Sequence, residues 1–472
     1  MISIPHSSRF PSRRRRSGAT SVLSAVAALV TLAAPQGGAL AQATPPADHD
    51  TTLTLGQAAR LAAGQSAGAQ TARLRTAQAA ARVVQSRAAL LPDVTGNASN
   101  GSRTFNTASF GFSFPAAPGE EPLFPATGAV LGPVRTWDFR GRVATNLLDL
   151  GAFGRLRAAQ AQQRASGADA ESQSEVAATQ AVAAYLRALA AEGQFEARTA
   201  DSVLAADLLG IAQEQLRAGT GIALDVTRAQ SQVASTRAAL IGARSQRDRA
   251  RLDLLRSLNL SLDTPVRLAD SLSALPTAEA VPSEQDAVRR ALADRPDLRA
   301  AAGQVEAARR QVGATRAERL PTISAFADKG ATGLDLQHLL NTYDYGLQVS
   351  VPFFDGFRRE GRIQEQKAVA SEAEVRLRDL QAQAAVEVRG ALLDLESARE
   401  QVAAADEQVR LAEQELSQAR ERFRAGVAGN ADVITASLDL NAARTAQVNA
   451  RTNFQTARVS LARAQGSITQ LP

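Results

Sequence analysis

One turn sequence occurs twice in this chain. Residues 216–226 read LRAGTGIALDV and residues 423–433 read FRAGVAGNADV, 207 positions later. Identical residues align at that offset, among them Gly219 with Gly426, Asp225 with Asp432, and Val226 with Val433. Because helix-like sequence lies on both sides of each copy, we expect two tandem structural repeats that each contain this turn.

The N-terminus has the pattern of a secretory signal peptide. Four arginines, at 13–16, precede a run of small and apolar residues, and Ala39-Leu40-Ala41 forms a cleavage site before Gln42. Ser, Thr and Gly dilute the apolar run, which disfavours a transmembrane anchor. The sequence predicts a signal peptide at 1–41 and a disordered leader at 42–52.

Composition argues against several classes of function. The net charge is +6, but five of the arginines lie within residues 1–41, so the remaining chain is about +1, which disfavours nucleic-acid binding. The chain has no cysteine and three isolated histidines. It contains no phosphate-cradling glycine motif and no H-E-x-x-H helix. We therefore expect no enzyme activity, no catalytic residue, no cofactor and no metal site.

Each repeat is predicted to contain a β-hairpin after an Ala-rich helix. These helices begin near residues 53 and 284 and stop at Pro92 and Pro321. Apolar and polar residues alternate in TYDYGLQVSVPFF, residues 342–354, and more weakly in residues 137–148. We expect hairpins at 93–150 and 322–354, with a long surface loop at 105–136 in the first repeat alone.

The longest elements are expected to be two helical hairpins. No proline occurs between Gly154 and Arg217 or between Gly361 and Arg424, which predicts helices of roughly 60 residues and about 95 Å. Helices of that length must pack side by side as coiled coils. Their tips lie near 219–222 and 426–430. Repeat 1 then spans 53–258 and repeat 2 spans 284–466, with a short, partly structured collar at 259–283 and a tail at 467–472.

Four strands cannot form a membrane barrel by themselves. Open sheet edges leave backbone groups unsatisfied in hydrocarbon, and closed membrane barrels begin at about eight strands. Several copies of the chain are therefore expected to share one barrel under cyclic symmetry. Because helices feed the strands, they are expected to continue the barrel as an α-helical tube.

At this point the chain resembles the outer-membrane efflux protein family, the TolC-like channel-tunnels. The resemblance rests on the repeat, on RPDLRAA at 295–301, on Leu-Pro before both hairpins, on FFDGFRREGRI at 353–363 and on both RAG turns. It implies a mainly α fold with a small membrane β part. In this implied fold, the three chains of a homotrimer share one 12-stranded transmembrane β-barrel in the outer membrane. That barrel is continuous with an α-barrel in the periplasm.

The resemblance also implies a function and partners. The chain would be the outer-membrane channel of a tripartite efflux or type I secretion system. Its partners would be a periplasmic adaptor protein, an inner-membrane RND or ABC transporter, and outer-membrane lipid. Cargo and pump class stay open. The alternative is a soluble periplasmic adaptor or scaffold, which ordinarily has one helical hairpin flanked by β-rich domains, whereas here the hairpin is doubled.

Three groups of residues are candidates for functional sites. The tips match the segments that adaptors contact in the family: Arg217, Gly219, Thr220, Gly221, Ile222, Arg424, Gly426, Val427, Ala428 and Gly429. Asp432 matches the first of two carboxylates of a periplasmic gate, Thr435 replaces the second, and Asp225 is the counterpart in repeat 1. Helix capping and dipole complementarity remain the other explanation for both aspartates.

The third group is aromatic. Trp137, Tyr343, Tyr345 and Phe353 lie on the apolar faces of the predicted strands, where a membrane girdle would need them. Ordinary sheet packing is the alternative explanation. The signal peptide and the scarcity of core residues favour the girdle.

Overall fold

The fold is built from two matching series of helices and strands. The computed structural model describes residues 51–110, 127–272, 274–275, 282–425, 427 and 429–471, all within one unit, Asp50–Pro472. The predicted signal peptide, residues 42–50 of the predicted leader and the middle of the predicted 105–136 loop lie outside the described residues.

The elements of the two repeats correspond one to one. Repeat 1 contains α1 (Leu55–Gln65), α2 (Ala67–Ala88), β2 (Asp93–Asn106), β3 (Val130–Leu148), α3 (Leu150–Arg217) and α4 (Ala223–Ser257). Repeat 2 contains α5 (Glu284–Asp294), α6 (Pro296–Ala317), β5 (Thr322–Gly333), β6 (Leu340–Ser350), α7 (Arg358–Arg424) and α8 (Asn430–Gln465). Two short strands, β1 (Thr51–Leu53) and β4 (Val266–Leu268), complete the series.

The helix before each hairpin is broken in two. In repeat 2 the break falls at Arg295, and Pro296 occupies the first helical position, where its missing N–H is not needed. In repeat 1 we expected one helix from residue 53 to 91, but it breaks at Ser66. The Ser66 hydroxyl accepts a hydrogen bond from the Ala69 backbone N–H at 3.2 Å and so caps α2. The two breaks match in position although their sequences differ.

The long helices α3 and α7 have 68 and 67 residues, so each extends for about 100 Å. The carboxylate of Asp149 caps α3 by accepting a hydrogen bond from the Ala152 N–H at 2.8 Å. Helix α3 packs against α4, α6 and α8, while α7 packs chiefly against α8. Gly154 makes the approach to α6 possible, because a Cβ there would lie 2.6 Å from the Cα of Ala314.

Residues 51–53 and the collar meet in a short two-stranded sheet. Thr51 and Thr52, the last residues of the predicted disordered leader, pair in parallel with Val266 and Arg267 of the collar. The buried hydroxyl of Tyr185 on α3 donates to the Leu53 carbonyl at 2.7 Å and lies 2.8 Å from an Asp270 carboxylate oxygen. This hydroxyl joins Leu53 of β1 and Asp270 of the collar to the long helix.

A four-stranded antiparallel sheet, in the order β2-β3-β5-β6, joins the two hairpins. The central contact pairs β3 of repeat 1 with β5 of repeat 2, and it places Arg142 opposite Asp328 and Trp137 opposite Gly333. In β5 and β6, Ala327 lies opposite Tyr345 and Phe326 opposite Gly346. This register determines which residues share a face.

Buried apolar clusters follow the long helices. One joins α1, α3 and the C-terminal tail, where Ile468 is buried; a second joins α5, α7 and α8 around Phe454. The third lies nearer the tips and packs Leu208 of α3 against Leu416 of α7 and Val433 of α8. Alanine supplies much of each cluster, which lets the helices approach closely.

Candidate functional site

The sheet has one apolar and one charged face. Tyr343, Tyr345, Leu347 and Val349 occupy one face of β6, and each is between 61% and 76% exposed in the single chain. The register places Val143 and Phe139 of β3 on the same face. On the opposite face Arg140 donates to Asp328, Asp138 and Thr342. We call the apolar side the outer face and the charged side the inner face.

Among the predicted girdle residues, Tyr343 and Phe353 mark two levels along β6, and Trp137 lies four ladder positions beyond Gly141, which shares a row with Lys329 and Tyr343. Trp137 stacks on Phe139 with ring centroids 6.2 Å apart, and Tyr343 stacks on Tyr345 at 6.5 Å. Phe353 follows the end of β6 and is 93% exposed. Ten positions separate it from Tyr343, which is roughly 33 Å along an extended chain and about 25 Å across a membrane for strands tilted by about 40°. This spacing equals the height of the apolar band of an outer-membrane barrel.

The outer edges of the sheet are open within the described part of the chain. Strands β2 and β6 are terminal in the strand order, so one edge of each has no partner strand there. Open edges of this kind are templates for pairing with another chain. The sheet is therefore a segment that further copies can extend.

The first helical tip is a tight turn held by its own backbone. Gly219 has φ +74°, a left-handed conformation that favours glycine. The N–H groups of Thr220 and Gly221 both donate to the Gln215 carbonyl at 3.0 Å, which satisfies the end of α3 beside Arg217. Ile222 precedes α4 and is 58% exposed, so the tip presents an apolar side chain.

The second tip follows the same plan. Helix α7 ends at Arg424, and the Val427 N–H donates to the Arg422 carbonyl at 3.0 Å. Val427 is exposed, and Gly429 is the extended residue that precedes α8. Gly426 and Ala428, also predicted at this tip, lie outside the described residues.

The two tips are joined by hydrogen bonds that the sequence did not predict. The fully buried Asn430 donates from Nδ2 to the Asp225 carbonyl at 2.9 Å. Gln215 donates from Nε2 to the Phe423 carbonyl at 3.0 Å. An amide in the first turn of a polar helix is an ordinary residue, so no sequence signal marks this contact.

The predicted gate residues Asp225 and Asp432 occupy equivalent positions in the two repeats. Asp225 and Asp432 lie in the first turns of α4 and α8, whose preceding residues, Ile222 and Gly429, make no side-chain cap. Neither aspartate is therefore the N-cap, although both complement the helix dipole. The Asp225 carboxylate lies 3.8 Å from Arg228, and Asp432 is exposed. The Thr435 hydroxyl donates to the Ala431 carbonyl at 3.0 Å, so its proton is used in a hydrogen bond within α8.

A buried ionic cluster joins α3 to α8 above the tips. Asp201, 2% exposed, accepts from Arg198 at 3.1 Å and lies 3.6 Å from Arg444. Arg198 also donates to the Thr445 hydroxyl at 2.9 Å, and the side-chain amide of Asn441 lies beside the Asp201 carboxylate. Burial raises the pKa of Asp201, while the two arginines oppose that rise. The sequence shows these residues only as scattered charges on helices.

The RPDLRAA motif braces the break between α5 and α6. Arg295 is buried and donates to Asp297 at 2.7 Å, to Glu387 of α7 at 2.6 Å and to the Ala464 carbonyl of α8 at 3.4 Å. One guanidinium therefore holds α6, α7 and α8 together. In this chain the motif has a structural role.

A half-buried carboxylate lies beside that brace. Burial raises the pKa of Glu175 on α3 to about 7, and the negative charges of Asp297 and Glu171 add to the rise. Arg299, which forms an ion pair with Glu171 at 2.9 Å, opposes it.

The described residues contain no group of three or more His, Asp or Glu side chains that could hold a metal ion. Separately, none of the described helices is both long and apolar enough to cross a membrane.

Comparisons with known proteins place this geometry in a family. The model of the outer membrane efflux protein family matches residues 59–260 and 287–467. Protein CyaE of Bordetella pertussis is 30% identical over 345 residues, 69% of this chain and 70% of that protein. Alkaline protease secretion protein AprF of Pseudomonas aeruginosa is 31% identical over 219 residues, 44% of each chain. The CmeC outer membrane channel of Campylobacter jejuni has the same fold, with a TM-score of 0.70 at 20% identity, covering 88% of this chain and 85% of that one.

Proposed function

Because this chain belongs to the outer membrane efflux protein family, we propose that it is the outer-membrane channel of a tripartite efflux or secretion system. Three copies form one passive exit duct, with the shared barrel in the outer membrane and the long helices in the periplasm. An inner-membrane pump supplies the energy, and a periplasmic adaptor connects it to the helical tips.

The observation that carries this proposal is the four-stranded sheet with opposite faces and open edges. Three copies supply twelve strands, which is enough to close a barrel and satisfy every edge. Closure turns the apolar face toward lipid and the face of Arg140 and Asp328 toward a water-filled lumen. A soluble coiled-coil adaptor would leave the exposed face of Tyr343 and Leu347 in water, so that alternative explains less.

Both secretion and efflux fit the proposed duct. AprF is named for protease secretion and the family for efflux. The duct supplies passage, and the pump that joins it determines the cargo.

The tips are proposed to dock the adaptor. Ile222 and Val427 present exposed apolar side chains at the ends of the two helical hairpins, beside Arg217 and Arg424. Apolar residues next to arginines are typical of protein interfaces.

Asp432 is proposed to form a charged ring at the periplasmic end. In a trimer three exposed carboxylates surround the pore, and such a ring binds cations and repels anions. Asp432→Ala is expected to raise leakage and lower cation preference in planar bilayers. Asp439→Ala is the matched control, because Asp439 lies two turns further along the same face of α8 and is also exposed. Equal conductance and selectivity in Asp432→Ala and wild type would remove the gate assignment.

The direct test of the proposed function is single-channel recording of the mature protein in planar bilayers. The proposal predicts discrete conductance steps that appear only with the trimer. Absence of conductance from trimeric protein would overturn it.

A further inference from the structure

Charges are distributed unequally between the two faces of the sheet. Within the described strands β2, β3, β5 and β6, the outer face carries two charged side chains, Arg135 and Lys329, and both are basic. The acidic residues of these strands lie on the inner face, because the register places them on the same side of the sheet as Arg140 and Arg142. They are Asp93, Asp138, Asp328 and Asp344. Because the inner face mixes both signs, the excess of positive charge belongs to the outer face alone.

Both cations lie in the half of the sheet that is distant from the helices. Strand β3 leads into α3 at Leu148, and Arg135 lies thirteen positions before that end. Lys329 lies opposite Tyr343, at the aromatic level distant from Phe353. In a barrel oriented with its helices in the periplasm, this half meets the outer leaflet.

Contacts on the outer face hold Arg135 in place. Its Nε donates to the Asn100 Oδ1 at 3.1 Å, and its guanidinium lies over the Trp137 ring, 5.3 Å from the ring centroid. These contacts use one of the five N–H donors of the guanidinium. The remaining donors can serve the bidentate geometry that a phosphate accepts.

Lys329 has a different but compatible setting. It is exposed, and the ring of Tyr343, directly opposite, is also exposed. Asp328 and Asp344, the nearest acids along the two strands, point to the other face. A lysine at the edge of an apolar band extends its stem along that surface and places its ammonium among the headgroups.

We propose that Arg135 and Lys329 bind the phosphate groups of phosphorylated lipids in the outer leaflet. The proposal rests on the proposed function, since the outer face must meet lipid. Arg135 is six ladder positions from Gly141, the partner of Lys329, which is about 20 Å along the strand. The two cations therefore contact separate phosphates, and a trimer presents six such cations around the barrel. A carboxylate in either position would repel the same headgroups.

The test is the amount of phosphorus that remains bound to the trimer. Wild type and variants are purified from outer membranes in a mild detergent under one washing protocol, and phosphorus is measured per trimer after acid digestion. Arg135→Gln/Lys329→Gln is compared with Arg142→Gln, which removes a cation from the inner face of the same sheet. The double variant is expected to retain less than half of the wild-type phosphorus, and Arg142→Gln to retain all of it.

A second measurement identifies the lipid chemistry. Delipidated trimer is heated with added phosphatidylglycerol or phosphatidylcholine, and the unfolding midpoint is recorded. Wild type is expected to gain more stability from the anionic lipid, in a salt-dependent manner, and the double variant to respond equally to both. Phosphorus content and lipid response equal to those of Arg142→Gln would overturn the proposal. Failure of wild type to form a membrane trimer would instead reject the proposed function.

Discussion

Neighbouring residues on β6 should differ sharply in their tolerance of arginine. Leu347 lies on the outer face and Gln348 on the inner face, so Leu347→Arg places a charge in lipid and Gln348→Arg places it in the lumen. The two substitutions share their strand, their depth and the residue introduced. Any difference between them therefore reports the orientation of the face.

The free-energy cost of the arginine at position 347 follows from its depth in the apolar band. Leu347 is four positions from Tyr343 and six from Phe353, so it lies roughly 10 Å and 15 Å from the two aromatic levels for strands tilted by about 40°. It is therefore near the middle of the apolar band, where an arginine on the lipid face costs about 2–4 kcal/mol per chain. Three chains that insert together lose about 6–12 kcal/mol. Gln348→Arg remains hydrated and is expected to change stability by less than about 0.5 kcal/mol per chain.

The assay is assembly of heat-modifiable trimer in the outer membrane, with total expression as the control. Leu347→Arg should nearly abolish the trimer band, while Gln348→Arg should leave it at the wild-type level. Equal trimer yields for the two variants would refute the assignment of the faces. A stronger loss for Gln348→Arg would reverse it.

Three further predictions concern the described helical part of the chain. Tyr185→Phe removes the hydrogen bonds to Leu53 and Asp270 and should lower the free energy of unfolding by about 1–3 kcal/mol in urea titrations; an unchanged midpoint would contradict the bond assignment. The raised pKa of Glu175, about 7, means that the folded state binds the extra proton, so wild type should lose stability relative to Glu175→Gln as the pH rises from 5 to 8. Because this side chain is partly exposed, the loss is about 1 kcal/mol, and urea midpoints at both pH values should show it. Asp201→Asn leaves two arginines short of a counter-charge and should destabilise the trimer by about 2 kcal/mol, whereas the same change at exposed Asp207 should have almost no effect on the thermal midpoint.

Local sequence patterns explain why the long helices, the ends of the shorter helices and strand β6 could be predicted. Proline at 92 and 321 marks the end of each shorter helix, and the alternation around Tyr343 and Leu347 identifies β6 with its two faces. The uninterrupted stretches before Arg217 and Arg424 predict the two long helices. Each of these signals is local and needs no knowledge of tertiary contacts.

Contacts between distant segments were not predictable in the same way. Strands β1 and β4 have three residues each and pair across more than 200 positions, so neither has a periodic pattern. The sequence therefore did not predict that Thr51 and Thr52 pair with the collar. Tyr185, which contacts Leu53 of β1 and Asp270 of the collar, is one aromatic residue in an Ala-rich helix.

Buried polar contacts were hidden for a related reason. Asp201 and Asn430 belong to helices whose polar residues occur on every side, so the sequence does not reveal which of them are buried. Ser66, in contrast, is a good helix N-cap, and its residue type could have indicated the break before α2.

The central claim is that three copies of this chain share one barrel. The measurement that tests it most directly is the mass of the mature protein extracted from outer membranes in detergent, with and without boiling. The account predicts a species of three chains that dissociates to one chain on boiling. A soluble monomer in the periplasmic fraction would contradict it.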